Sequence, residues 1–193
     1  MKPEELLSVL HTANRLKDTT RHCWTPGNRH ESVADHSWRL ALAAFFLRDE
    51  FPETDMDKVI KMCLIHDLGE CFTGDIPSFL KTDADTAKED ALLIQWVGTL
   101  PQPYRAEMAA LYAEMDALET PEARLYKALD KLEAVIQHNE APISTWLPRE
   151  YALNLTYADE NVAFSPYLTA LREAVRDETK AKIAAHGGIP AAE

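Results

Sequence analysis

Four side chains could together bind a divalent metal ion: His36, the adjacent pair His66-Asp67, and Asp130. Two imidazoles and two carboxylates form a mixed donor set that suits Mn²⁺, Co²⁺, Zn²⁺, Ni²⁺ or Fe²⁺, and Mg²⁺ less well because Mg²⁺ prefers oxygen. Each residue alone is ordinary in a helical protein. Apolar residues flank His66-Asp67 and Asp130, and a buried charge requires a partner. This setting favours a metal site over solvated side chains.

Glu70 adds a possible acid or base to this set. It follows His66 by four residues and Asp67 by three, so on a helix it shares their face. A carboxylate there could hold or deprotonate a water molecule beside the ion without being a ligand itself.

Helices must position these residues, since apolar residues recur at helical spacing along nearly the whole chain. Ser32 with Asp35 resembles a capping box that opens a helix through about residue 48. The next predicted helix begins at Asp55 or Asp57, ends near Leu68 and carries His66-Asp67 in its C-terminal half. Further helices are predicted over 83–97 and 104–118, from Thr120-Pro121, and from Ser165-Pro166 to about residue 186. Strand signals are weak, and the best of them is Tyr151–Tyr157.

The pattern predicts an all-α fold in a single domain over residues 1–186, with a flexible tail over 187–193. Of the 193 residues, 32 are acidic and 20 basic, for a formal charge of −12. A nucleic-acid-binding domain is usually basic, so that class is not expected. The longest apolar run, Leu40–Leu47, is too short for a membrane span. No signal peptide is evident and the three cysteines have no C-x-x-C spacing, so we expect a cytoplasmic protein with reduced thiols.

The longer motifs around these residues resemble a known family. They are Glu31-Ser-Val-Ala-Asp-His36, Ile65-His-Asp-Leu-Gly-Glu70, Thr73-Gly-Asp-Ile-Pro77 and Ala128-Leu-Asp-Lys-Leu132. In this order they are similar to the signature of the HD-domain metal-dependent phosphohydrolases. Within that family they resemble the bacterial 5′-deoxynucleotidases and their eukaryotic relatives, the HD domain-containing protein 2 group.

The resemblance implies an HD-type helical bundle around one divalent ion, Mn, Co, Zn, Mg, Ni or Fe, and a homodimer. The implied ligands are His36, His66, Asp67 and Asp130. The implied reaction releases phosphate from a deoxynucleoside 5′-monophosphate.

The resemblance also assigns roles around the ion. Glu70 aligns the attacking water, Asp75 contacts the sugar hydroxyl, and Arg21 contacts the phosphate through its guanidinium fork. Trp24 departs from the bacterial pattern, in which a tryptophan directly follows the arginine. It either stacks on the base, shields the site or simply packs.

Other charged groups have weaker arguments. Arg29 and Lys81 either supplement the phosphate pocket or are ordinary surface residues. His22 and His30 could contact the site residues without binding the ion or the substrate themselves. His138 is expected to be solvated.

Three other functions are open from the sequence. The first is an HD-type hydrolase of a cyclic or pyrophosphate-bearing nucleotide. The second is a dinuclear iron oxygenase, which needs additional ligands. The third is a nucleotide-binding sensor without turnover.

Overall fold

Helices follow one another along residues 1–189, the part of the chain that the computed structural model describes. The helices and strands are α1 (Pro3–Ala13), β1 (Thr20–Trp24), β2 (His30–Ser32), α2 (Val33–Phe46), α3 (Met56–Ile65), α4 (Glu70–Thr73), α5 (Asp83–Gly98), α6 (Tyr104–Ala117), α7 (Pro121–Glu140), α8 (Pro148–Thr156), α9 (Asp159–Val162) and α10 (Pro166–Ala185). Short 3-10 turns cover 14–17, 48–50 and 143–145. The predicted all-α fold is therefore confirmed.

Local capping explains where three of the longer helices begin. The Ser32 hydroxyl accepts a hydrogen bond from the Asp35 N–H (3.1 Å), and the Asp35 carboxylate accepts one from the Ser32 N–H (2.9 Å). At the start of α3 the Asp55 carboxylate accepts from the Lys58 N–H. Thr120 caps α7 ahead of a proline at its first turn. Each cap satisfies N–H groups that have no partner inside the helix.

α7 lies at the centre of the molecule and packs against α2, α3, α6 and α10. The largest apolar cluster joins these helices through buried side chains such as Leu40, Met62, Leu125, Leu132 and Leu168. The same helix also buries Asp130, Glu133 and Gln137. α7 therefore carries both the core and polar groups into the interior.

A two-stranded antiparallel hairpin, β1 with β2, departs from the prediction. The sequence analysis placed its best strand candidate at Tyr151–Tyr157, which is wrong because most of that segment lies in α8. The hairpin is short and irregular, pairing Thr20 with Ser32 and Trp24 with His30. Such a short strand has too few residues for a visible alternation of polar and apolar side chains.

The third predicted helix also ends earlier than expected. α3 stops at Ile65, and His66-Asp67 lies in the tight turn that leads into α4, not inside a helix. The Tyr112 hydroxyl donates a 2.7 Å hydrogen bond to the Ile65 carbonyl, and the Leu68 N–H bonds to the same carbonyl. The Ile65 carbonyl therefore accepts hydrogen bonds from Tyr112 of α6 and from an N–H three residues later. It does not accept the bond from four residues later that would continue the α-helix.

No helix within residues 1–189 is long and apolar enough to cross a bilayer. Cys23, Cys63 and Cys71 are free and buried, as the expectation of reduced thiols requires. The predicted tail begins at residue 187, and its last four residues, 190–193, lie outside the described part of the chain.

Candidate metal centre and adjoining cavity

The four predicted ligands converge from three different parts of the chain. α2 contributes His36, the turn after α3 contributes His66 and Asp67, and α7 contributes Asp130. The Nε2 atoms of the two histidines lie 3.2 Å apart. His66 Nε2 is 2.9 Å from Asp67 Oδ2, and His36 Nε2 is 3.3 Å from Asp130 Oδ1. Two atoms that bind one ion at about 2.1 Å lie about 3–4 Å apart, so these separations fit a shared cation.

The Nδ1 atoms of both imidazoles already have hydrogen-bond partners in the protein. His36 Nδ1 bonds to the Glu133 carboxylate, and His66 Nδ1 is 2.9 Å from the Cys63 carbonyl oxygen. Both partners are acceptors, so each Nδ1 carries a hydrogen and each neutral ring leaves an Nε2 lone pair. Two lone pairs and two carboxylates facing one point repel each other unless a cation lies between them. The donor set therefore fits a divalent metal.

The titration of these groups supports the same conclusion. Burial and Arg21 disfavour a charged His36, but hydrogen bonds to Asp130 and Glu133 raise its pKa to about 9. Burial opposes ionisation of Asp67, yet the neighbouring His66, His36 and Arg21 hold its pKa below the ordinary value. The centre thus favours positive charge, which a proton or a metal ion can supply in competition.

Glu70 stands at the first position of α4 and is 6% exposed. Its Oε2 atom is buried without a hydrogen-bond partner in residues 1–189. Burial, together with the nearby Asp67 and Asp75, raises its pKa to about 10. Near neutral pH this carboxyl is therefore protonated, and it can act as a base towards a water molecule only where added positive charge, such as a neighbouring cation, favours its ionised form.

β1 brings Arg21 to the rim of the metal centre. Its guanidinium lies 3.4 Å from Asp67 Oδ2 and its Nε lies 3.2 Å from Glu31 Oε2. The side chain is only 14% exposed, so two carboxylates hold it in place. A fixed, partly desolvated guanidinium suits an anionic substrate group.

A cavity of about 260 Å³ opens beside the centre. The predicted site residues that line it are Arg21, Asp67, Glu70, Asp75, Lys81 and Asp130. Trp24 is not among its lining residues; its ring lies against His30, 4.1 Å between centroids. Arg29 also lies elsewhere, bonded to Asp35 at the surface. The structure therefore brings Lys81 to the cavity, but Trp24, Arg29 and His30 do not line it.

Two groups of residues around the site were missed by sequence reasoning. Glu133 is 3% exposed behind His36, and Glu150 and Asn154 line the cavity from α8. The expectation that His138 is solvated is wrong, since its side chain is 13% exposed and lines the cavity. Glu133 lies among apolar residues one turn after Asp130, a pattern that could have indicated it. The residues of α8 gave no such indication.

Comparisons with known proteins identify the family of the chain. Residues 13–172 match the family described as "HD domain". The chain is 31% identical to a human protein named 5′-deoxynucleotidase HDDC2 over 139 residues, covering 70% of this chain and 67% of the human one. The corresponding Dictyostelium discoideum protein is 36% identical over 147 residues, with 69% and 76% covered.

Among solved structures, one similar chain is a predicted metal-dependent phosphohydrolase from Magnetospirillum magnetotacticum. Its TM-score is 0.77 at 30% sequence identity, covering 93% of this chain and 95% of that one. The likeness therefore extends over nearly the whole of both chains.

Proposed function

The chain belongs to the HD domain family of metal-dependent phosphohydrolases, and we propose that it releases phosphate from deoxynucleoside 5′-monophosphates. The observation that carries the proposal is the convergence of two free imidazole nitrogens and two carboxylates beside a cavity lined by Glu70 and Arg21. The relatives named 5′-deoxynucleotidase support the substrate class.

His36, His66, Asp67 and Asp130 would hold one divalent ion. When bound, the ion supplies Lewis-acid polarisation of the phosphoryl group and lowers the pKa of water. The donor set accepts Mn, Co, Zn, Ni or Fe, and Mg less readily.

Glu70 orients the attacking water and takes its proton as the water oxygen bonds to phosphorus. Burial raises its pKa, so the carboxylate is a strong proton acceptor once the positive charge of a bound ion has favoured its ionised form. The Arg21 guanidinium binds phosphoryl oxygens while Asp67 and Glu31 fix its direction. Lys81 and Lys127 line the same cavity and add positive charge near the phosphate. The bond from phosphorus to the 5′-oxygen of the sugar breaks, and that oxygen takes up a proton, supplied by Glu70 or by solvent, giving a deoxynucleoside and phosphate.

Asp75 lines the cavity after the turn at Gly74, whose φ of 78° suits glycine. We assign Asp75 to the sugar hydroxyl, because a half-buried carboxylate in the cavity can accept a hydrogen bond from an alcohol. Trp24 does not line the cavity, so a stacking role for it would require the β1–β2 hairpin to move.

The proposed reaction is tested with Glu70→Gln. We expect phosphate release from deoxynucleoside monophosphates to fall by roughly 10²–10⁴-fold, the usual contribution of a positioned acid or base. Metal content, measured by mass spectrometry of the purified protein, should not change. The control Glu107→Gln removes a carboxylate that pairs with Lys61 on the surface and should keep full activity. Wild-type turnover in the Glu70 variant would refute the assigned role.

We also propose that the protein acts in the cytoplasm, without a nucleic-acid or membrane partner, and as a homodimer. The net charge of −12 disfavours a polyanionic partner. Large apolar side chains on the outer face of α2 offer a surface for a second copy.

A further inference from the structure

The cavity extends beyond the metal centre along α7. Asp130 and His138 both line it and are eight residues apart on that helix. With a rise of 1.5 Å per residue, this separation is about 12 Å. The cavity is therefore longer than a phosphate group needs, and its far end is built by β1, α8 and the loop at Phe79.

A buried carboxylate organises this far end. Glu150 is 1% exposed, and its Oε2 accepts a 2.7 Å hydrogen bond from the Leu147 N–H. Its Oε1 lies 3.0 Å from His22 Nε2 and 3.7 Å from His138 Nε2. His22 Nε2 makes no hydrogen bond within residues 1–189 despite lying close to Glu150, and because its side chain is 27% exposed, a ligand can reach the ring.

Asn154 provides an unused hydrogen-bond donor. It stands one helical turn after Glu150, lines the cavity and is 3% exposed. Its side-chain Nδ2 is buried and has no partner within residues 1–189. Native proteins rarely leave such groups unsatisfied, and those that remain call for an explanation. A ligand atom in the cavity supplies one.

Phe79 adds an aromatic surface to the same end. Its ring packs edge-to-face on His22, with 5.9 Å between centroids, and the Arg149 guanidinium lies 4.4 Å from its centroid. A flat ring flanked by a hydrogen-bonding imidazole and amide is a suitable environment for a planar heterocycle.

We infer that this far end is a nucleobase subsite, in which Asn154 donates to an acceptor on the base edge, His22 makes a second polar contact and Phe79 packs on the ring. The inference rests on the proposed function, which puts the phosphate at the metal centre. It makes the base, in addition to the phosphate and the sugar, part of what the cavity binds. A polar atom on the base edge replaces the missing partner of the Asn154 amide.

The test measures binding of the four deoxynucleosides, without phosphate, and of 2-deoxyribose by calorimetry on the metal-loaded protein. We expect at least one deoxynucleoside to bind ten-fold or more tightly than 2-deoxyribose. Asn154→Leu keeps the side-chain volume and removes the amide, so it should weaken that binding at least ten-fold. The matched control Asn161→Leu makes the same change on α9, outside this cavity, and should bind as the wild type does.

A second variant covers the case in which Asn154→Leu does not fold, as judged by circular dichroism. His22→Phe keeps a ring at that position and should likewise weaken deoxynucleoside binding. Equal affinity of the wild type for deoxynucleosides and 2-deoxyribose would overturn the inference. So would wild-type affinity in whichever of the two variants folds. The binding test uses ligands without phosphate, so it does not depend on phosphate release. If the protein had no phosphatase activity, the proposed reaction would be refuted, and the binding measurements would still test the nucleobase subsite.

Discussion

Glu133 shows how one residue supports a metal centre without facing it. Its carboxylate accepts the Nδ1 hydrogen of His36 and also accepts from Arg39 Nε at 2.6 Å. The arginine balances the carboxylate, and the carboxylate fixes the ring so that Nε2 points at Asp130 and His66. Such partners orient the ligand and increase its basicity. Glu133 is therefore a positioning residue.

Glu133→Gln should weaken divalent-metal binding by roughly 10–100-fold, the range typical for loss of a ligand's hydrogen-bond partner. The amide can still accept from His36, but it lacks the charge that makes the ring a stronger donor to the metal. Titration of the apo-protein with Mn²⁺ or Co²⁺, followed by calorimetry, measures the change. Glu140→Gln is the control, because Glu140 also binds Arg39 but is 47% exposed. Equal metal affinity in the two variants would contradict this role.

Residue types and spacing were sufficient to identify the residues that converge on the centre. His66-Asp67 and Asp130 stand in apolar stretches of the sequence that a charged side chain occupies only with a partner, and His36 completes the donor set. The same apolar surroundings could have marked Glu133 as buried. They do not show its role, because its partner His36 is 97 residues away in the sequence. Pairings over such distances depend on how helices pack, which a single sequence does not state.

At the level of elements, the break between α3 and α4 matters most for the site. Within an ideal helix, adjacent side chains point about 100° apart. Ending α3 at Ile65 frees the next residues from that geometry, and His66 Nε2 comes within 2.9 Å of Asp67 Oδ2. The helical periodicity continues through the break, so the sequence predicted a helix to about residue 68. Only the contact of Tyr112 from α6 shows why it stops.

Gly69 lets α5 pack closely against this turn. A Cβ at position 69 would lie 2.8 Å from Cγ of Glu89, whose carboxylate is 2.8 Å from Lys81 Nζ and 3.3 Å from Thr73 Oγ1. Glu89 therefore joins α5 to α4 and to the cavity wall at Lys81. Position 69 requires glycine because the Glu89 side chain lies where a Cβ atom would be.

Gly69→Ala should destabilise the protein by about 1–3 kcal/mol, since the added methyl group overpacks the contact with Glu89. For a chain of this length that corresponds to a fall in Tm of several degrees. Gly98→Ala is the control: nothing lies within 4 Å of a Cβ at the end of α5, and alanine suits a helix better than glycine. Thermal unfolding should move the two variants in opposite directions or leave the second unchanged. A Tm for Gly69→Ala at or above that of the wild type would contradict the prediction, because it would show that the Glu89 side chain moves aside without loss of stability.

For the whole molecule, the distribution of charge explains how an acidic protein can accept an anion. The net charge is −12, yet four cationic side chains line the cavity: Arg21, Lys81, Lys127 and Lys131. Five acidic side chains line it too, namely Asp67, Glu70, Asp75, Asp130 and Glu150, so a divalent ion at the metal centre would be needed to make the cavity positive. Three arginines, at positions 21, 29 and 39, stand close together in the sequence. The structure places Arg29 and Arg39 in ion pairs away from the cavity lining. The lysines of α7 take their place because that helix runs along the cavity.

The exposed apolar surface indicates where a second copy would bind. Trp38, Leu42 and Phe45 follow each other at helical spacing on α2 and are 63%, 39% and 45% exposed. Single exposed apolar residues are common on monomers. A stripe of three large ones on a single helix face is typical of an interaction site. Because α2 also carries His36, a dimer formed here would stabilise the helix that holds the metal centre.

We expect the wild-type protein to sediment at twice the 21.8 kDa mass of the chain. The double variant Trp38→Glu and Leu42→Lys should sediment as a monomer with unchanged helical content, because it puts charges into an interface that depends on apolar contact. Ile94→Lys is the control, since Ile94 is 68% exposed on α5 and outside the stripe; this variant should remain dimeric. A wild-type mass of one chain would refute the dimer, and a dimeric double variant would place its interface on another face.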